Sequence, residues 1–92
     1  MFMSCKDKHQ SSLQKLLLAI GKRIRLERER LGYTQEQLAE KAGFHRTYVG
    51  MVERGEQNIT LESCTRFADA LGVGFYELMH DILLEGDDVK DI

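Results

Sequence analysis

The 92-residue sequence contains no proline and no stretch in which apolar and polar residues alternate over the length of a strand. Apolar residues recur instead at spacings of three and four between glycines, which is the period of helices buried along one face, so the chain reads as all-α. No apolar run approaches the ~18 residues of a membrane span, which excludes a transmembrane protein. The N-terminus places Lys6, Asp7, Lys8 and His9 where an export signal needs an apolar middle, and the cytoplasm is the expected compartment. Cysteine is scarce: Cys5 and Cys64 stand 59 positions apart without Cys-x-x-Cys spacing, which excludes a disulfide framework and a zinc knuckle. His9, His45 and His80 fall on three separate segments without ligand spacing, so no metal is expected. A nucleophile with a paired base and a glycine-rich phosphate loop are also missing. The chain is therefore read as a non-enzyme with no cofactor and no small-molecule ligand.

Net positive charge is lacking too, and the formal charge of −2 is unpromising for binding a polyanion until the chain is divided. Residues 1–12 balance at +1 and residues 13–62 at +2, whereas residues 63–92 balance at −5. Local field rather than total charge steers a polyanion, so this asymmetry permits a basic face at one end of the domain. The five Lys and Arg between Lys22 and Arg30 are interleaved with Glu27 and Glu29 and read as a solvated helix face.

Five helices follow from the punctuation. A capping box of Ser11 and Gln14 opens the first, whose stripe is Leu13, Leu17, Ile20, Ile24 and Leu31, and Gly32 stops it. Thr34 and Gln37 make a second capping box, with Tyr33 and Leu38 as a hydrophobic staple, for a helix ending at Gly43. The third begins near Arg46 with His45 as its cap and Phe44 and Val49 as its staple, and ends at Gly55. Thr60 caps the fourth, which turns Leu61, Cys64, Phe67, Ala68 and Leu71 inward before Gly72. The fifth runs from Phe75 to Leu84 with apolar residues on more than one face. The expected organisation is a flexible extension (1–12), one domain (13–84) and an acidic tail (85–92).

The stretch from Gln35 to Arg54 carries the function. Two short helices meet there across a turn too tight for antiparallel packing. Leu38, Ala42, Phe44, Val49 and Val52 are placed to fill the angle between them, Ala39 is small where they approach, and Gly43 permits a positive φ. The pattern is that of a helix-turn-helix. With Gly32-Tyr33-Thr34-Gln35-Glu36-Gln37-Leu38-Ala39, Arg46-Thr47-Tyr48-Val49, Glu53-Arg54-Gly55 and Ala70-Leu71-Gly72-Val73, the sequence resembles the lambda-repressor-like regulators of the Cro/CI or XRE family over about residues 20–78. The resemblance implies a five-helix DNA-binding domain whose second and third helices form the reading unit, the third lying in the major groove.

Site residues follow from that resemblance. Arg46 and Thr47, in the first turn of the third helix, with Gly50 and Met51 after them, match base-reading positions. The Arg46 guanidinium can donate twice to a guanine edge, Thr47 offers a methyl or a hydroxyl, Gly50 lets the backbone approach, and Met51 stands where many relatives have a polar residue. Gln35, Tyr48, Arg54 and Asn58 match phosphate-holding positions. Arg28 and Glu53 match an ion pair that joins the first helix to the third, a role in the scaffold. Phe75, Tyr76, Met79, Ile82 and Leu83 are the expected homodimer interface, and double-stranded DNA and a second copy the expected partners. Arg46-Thr47-Tyr48-Val49 with Asn58-Ile59-Thr60-Leu61 is similar to the small controller proteins of restriction-modification systems. An antitoxin, or an interaction module that has lost DNA binding, would share this fold.

Overall fold

The computed structural model describes the backbone of residues 2–85 and the side chains of residues 12–80 and of Ile82. Among these, five helices are joined by short turns: α1 (Phe2–Arg30), α2 (Gln35–Ala42), α3 (Arg46–Glu53), α4 (Leu61–Leu71) and α5 (Phe75–Glu85). The acidic residues after Glu85 and the side chains of Cys5 and Leu83 lie outside the described residues. No described helix is long and apolar enough to cross a membrane.

The punctuation acts as expected at most helix ends. Thr34 Oγ1 accepts from the Gln37 amide at 3.0 Å while Gln37 Oε1 accepts from the Thr34 amide at 2.8 Å, which satisfies two otherwise orphaned donors of α2. Thr60 Oγ1 accepts from the Ser63 amide at 3.0 Å and opens α4 in the same way. Two ends differ. The backbone of α1 is already helical at Phe2, because neither proline nor glycine interrupts residues 2–12, so Ser11 and Gln14 lie within the helix rather than capping it. His45 occupies the N-cap position of α3 with an extended backbone, but its side chain makes no capping bond.

One core unites the five helices. Ile20 and Ile24 of α1, Leu38 and Ala39 of α2, Val49 and Val52 of α3, Phe67 and Leu71 of α4 and Ile82 of α5 are buried together. Phe44 and Tyr48 extend this cluster through ring contacts, Phe44 lying 4.8 Å from both the Tyr48 and the Phe67 ring centroids. The stripe of α1 reaches this core only in its middle. Leu13 and Leu31, at either end of it, are exposed, because the helix outruns the elements packed on it. Leu61, expected inward, is 72% exposed: it is the first residue of α4 and projects before the helix meets the core.

Close approach of α1 to α3 dictates one glycine that periodicity did not single out. A Cβ at Gly21 would stand 2.3 Å from the Val52 carbonyl oxygen and 2.6 Å from that of Glu53. Backbone cannot yield as a flexible side chain does, so Gly21 sets how near the two axes come. Cys64 fills a small space in the same core, and burial pushes its thiol up from the ordinary 9.0.

Two outcomes follow. Gly21→Ala gains about 1 kcal/mol of helix propensity, yet thermal unfolding should show a net loss of about 1–3 kcal/mol from overpacking; an unchanged or raised Tm would refute the close approach. The folded Cys64 thiol has the raised pKa, so its contribution to stability is full below the unfolded value and is lost as pH rises through the folded one. Denaturant titrations across this alkaline window should show a steeper decline for the native chain than for Cys64→Ala.

Candidate nucleic-acid interface

Three side chains from three helices meet at the carboxylate of Glu53, the last residue of α3. Arg28 of α1 donates from Nε to Glu53 Oε2 at 2.6 Å and from Nη2 to Oε1 at 3.1 Å, and its Nη1 donates to the Tyr33 carbonyl at 2.8 Å. Gln35, the first residue of α2, donates from Nε2 to Glu53 Oε1 at 3.0 Å. Only 3% of the Glu53 side chain is exposed, so these donors replace its water. The hydrogen bond to Glu53, reinforced by the charges of Glu53 and Glu29 against the opposing effect of burial, holds the Arg28 pKa above its ordinary value. The expected scaffold pair is thus present in bidentate form. Gln35, expected only at a phosphate, is a third member of this cluster.

A second clamp holds the turn between α2 and α3. Gly43 takes a φ of +77° there. Arg66 of α4 donates from Nε to the Ala42 carbonyl at 3.1 Å and from Nη2 to the Gly43 carbonyl at 2.8 Å, and its guanidinium lies 4.4 Å from the centre of the Phe44 ring. The orphan carbonyls at the end of α2 are thereby satisfied by a cation, with the favourable sign for the helix dipole. A Cβ at Gly43 would also meet Arg66 Nη2 at 2.6 Å. Arg66 was invisible in the sequence: it sits on the polar side of α4, and no local spacing announces partners more than twenty residues away.

These constraints present the first turn of α3 to solvent. The Arg46 side chain is 64% exposed, with one Glu36 oxygen 3.9 Å from its Nη1, and Thr47 is exposed beside it. Such a solvated pair is weak and leaves the guanidinium available. Met51 is half-buried one turn on. Gly50 does not belong to this surface. It is buried, and a Cβ there would meet Arg54 Nη1 at 3.2 Å and Gln35 Oε1 at 3.6 Å, so the residue makes room for those side chains instead of approaching a groove.

The other expected positions surround this turn. Arg54 is exposed and pairs with Glu56 at 3.1 Å, and Asn58 is exposed in the loop before α4. Tyr48 is half-buried, its ring on Phe44 and its hydroxyl donating to Ser63 Oγ at 3.2 Å, so most of what it touches is the edge of the core. On α5, Tyr76 is exposed and Phe75 and Met79 are half-buried. Ile82 is 3% exposed within the core of its own protomer, which removes it from the expected interface. The charged face of α1 is likewise less solvated than its composition suggested. Glu27 is buried, accepting from Arg23 Nε at 3.1 Å and from Arg30 Nη2 at 2.5 Å, while Arg25 and Glu29 form the exposed i,i+4 pair expected of such a face.

The profile of the family described as helix-turn-helix matches residues 24–78. A hypothetical transcription factor of Neisseria meningitidis is 42% identical over 66 residues, which cover 72% of this chain and 62% of that protein. This chain therefore spans less than two thirds of that relative. Control protein C.SmaI of Serratia marcescens is 42% identical over 60 residues, 65% of this chain and 71% of that protein. Among solved structures, the restriction-modification controller protein C.AhdI of Aeromonas hydrophila superposes with a TM-score of 0.66 at 42% identity, covering 67% of this chain and 94% of that one.

Removing Arg28 should separate stability from binding. Arg28→Met strands the Glu53 carboxylate and should cost about 3–5 kcal/mol, whereas Arg28→Met with Glu53→Leu should recover most of that loss. The double variant still leaves Gln35 without its anchor, so by fluorescence anisotropy it should bind duplex DNA more weakly than the native chain. Full recovery of both properties would show that the carboxylate does not orient Gln35.

Proposed function

We propose that this chain, which belongs to the helix-turn-helix family of the lambda-repressor-like Cro/CI or XRE type, is a DNA-binding transcription regulator that acts as a homodimer on a pseudo-palindromic operator, each subunit placing α3 in a major groove. The observation that carries this reading is the exposed first turn of a helix whose other face is fully committed to the core. Arg46 and Thr47 are exposed at the tip, while Val49, Val52 and Glu53 anchor the helix behind them. Held in this way, α3 enters a groove as a rigid body and the Arg46 fork needs no rearrangement beyond release of Glu36.

Arg46 is assigned to a guanine edge, Thr47 to a neighbouring base and Met51 to a thymine methyl. Gln35, Arg54 and Asn58 are assigned to the flanking phosphates. Gln35 keeps one amide proton free of Glu53, since an NH2 group has two donors and only one is used there. Arg54 exchanges Glu56 for a phosphate. Tyr48 joins them where the hydroxyl pair it forms with Ser63 opens toward the backbone of the duplex. The likeness to C.SmaI and C.AhdI supports the narrower reading that the regulated genes belong to a restriction-modification system.

Selection of bound DNA from a random duplex library, repeated at two salt concentrations, should yield a two-fold symmetric motif, with affinity falling steeply as salt rises. Arg46→Ala should relax preference at one position of each half-site by about 1–3 kcal/mol. Gln35→Ala or Asn58→Ala should weaken binding to all sequences alike. Enrichment of no motif by the folded protein would refute sequence-specific binding, and an equal loss on every sequence for Arg46→Ala would refute the readout assignment.

A further inference from the structure

The match to the family begins at residue 24, yet α1 is helical well before it. In this earlier part Leu13, Leu16, Leu17 and Ile20 share one face at three- and four-residue spacing, and the same face continues to Ile24. Its cover is uneven. Ile20 and Ile24 are buried in the core, Leu17 is half-buried, and Leu13 and Leu16 are 44% and 41% exposed. Leu18 is not part of this stripe, for it lies on the far side of the helix, where it packs over Gly55.

The described side chains of the neighbouring helix leave little apolar surface for an interface. Arg23, Glu27 and Arg30 of α1 border one pocket with Val73, Tyr76, Glu77 and His80, so the C-terminal part of α1 lies beside the start of α5. Ile82, nearer the other end of α5, packs in the cluster that holds Ile20, so the two helices run antiparallel and the leucine stripe begins where α5 is ending. On α5 the core already uses Leu78 and Ile82 and half of Met79, leaving Tyr76, at 84% exposure, as its one largely free apolar side chain among the described residues. An aromatic side chain buries about 150–250 Å², whereas a stable interface takes about 800 Å² from each partner.

We propose that the N-terminal stripe of α1 adds to this surface: Leu13, Leu16 and Leu17 of one protomer pack against the same stripe of a second copy, alongside the contact that α5 makes nearer its start through Tyr76 and Met79. This rests on the homodimer reading above. A two-fold axis places one patch on itself, and an uncharged leucine stripe is complementary to its own copy. Two α1 helices with two α5 helices then bury as a four-helix bundle what neither protomer covers alone. Such a bundle also fixes the two α3 helices at one separation, which half-sites about 34 Å apart require.

Sedimentation equilibrium of the full chain tests this, with far-ultraviolet circular dichroism to follow the fold. The native chain should be dimeric at about 100 μM. Leu16→Lys and Leu16→Glu should each raise the dissociation constant at least about tenfold with helicity retained, and mixing the two variants should restore association through the opposite charges. If the native chain is dimeric and both variants dimerise within about twofold of it, the stripe is not the interface, although the homodimer reading stands. Variants that dissociate but do not recover on mixing show that the stripe meets another surface, which overturns the proposal. A monomeric native chain overturns the proposal and the homodimer reading together, whether the stripe then serves another protein or a lipid surface. Should either charged variant fail to fold, Leu16→Ala, which removes the same contacts without introducing charge, must weaken association in the native fold for the proposal to survive.

Discussion

A carboxylate as deeply buried as that of Glu53 cannot stand alone, and the architecture of the reading unit depends on how it is satisfied. Taking both charges of the Arg28–Glu53 pair out of water costs several kcal/mol each, and their attraction roughly returns what was lost. The pair therefore contributes little net stability. What it contributes is direction. Arg28 donates in parallel to both oxygens of Glu53 and turns its remaining nitrogen to the Tyr33 carbonyl, a fork geometry satisfied at one relative placement of α1, the turn before α2 and the end of α3. Gly21 sets the distance between α1 and α3, and the fork sets their registration.

The same carboxylate reaches the surface through Gln35. A side chain at the start of α2, free to rotate in an isolated helix, is held by its amide against Glu53 and over Gly50. Ordering before binding removes an entropic cost that a flexible contact would meet on association. Arg66 does the corresponding work at the other end of α2, closing its carbonyls and lying on Phe44. Between them, the two clamps leave the angle of the helix-turn-helix little freedom, and the residues that project from it inherit that rigidity.

Charge around the exposed first turn of α3 is more balanced than a basic footprint would be. Arg46 faces Glu36 and Arg54 faces Glu56, both pairs being exposed. Solvated pairs of this kind are worth little and separate readily, so they do not oppose a phosphate or a base edge strongly. They do reduce the long-range attraction of the surface for any polyanion, so in the proposed interface discrimination would rest on short-range contacts made by shape and hydrogen bonding.

The sequence by itself determined the five helices, most of their ends and the identity of the reading unit, because these rest on local physics. A capping box spans three residues, a buried stripe repeats every three or four, and the Gly43 turn lies within the twenty residues that name it. Its misjudgements mark where local rules lose their hold. Leu61 has the period of a core residue but begins its helix before the core starts; Ile82 has the period of a spare apolar face but lies in the shared core; Gly50 has an outward period but lies beneath Gln35 and Arg54. Only the tertiary structure decided the second partner of Glu53, Gln35, the clamp from Arg66, the burial of Glu27 and the clearance at Gly21. Each of these depends on groups brought together from different helices or on which side of one helix the core comes to cover, and a one-dimensional pattern contains spacing along the chain but not the distance between axes that packing imposes.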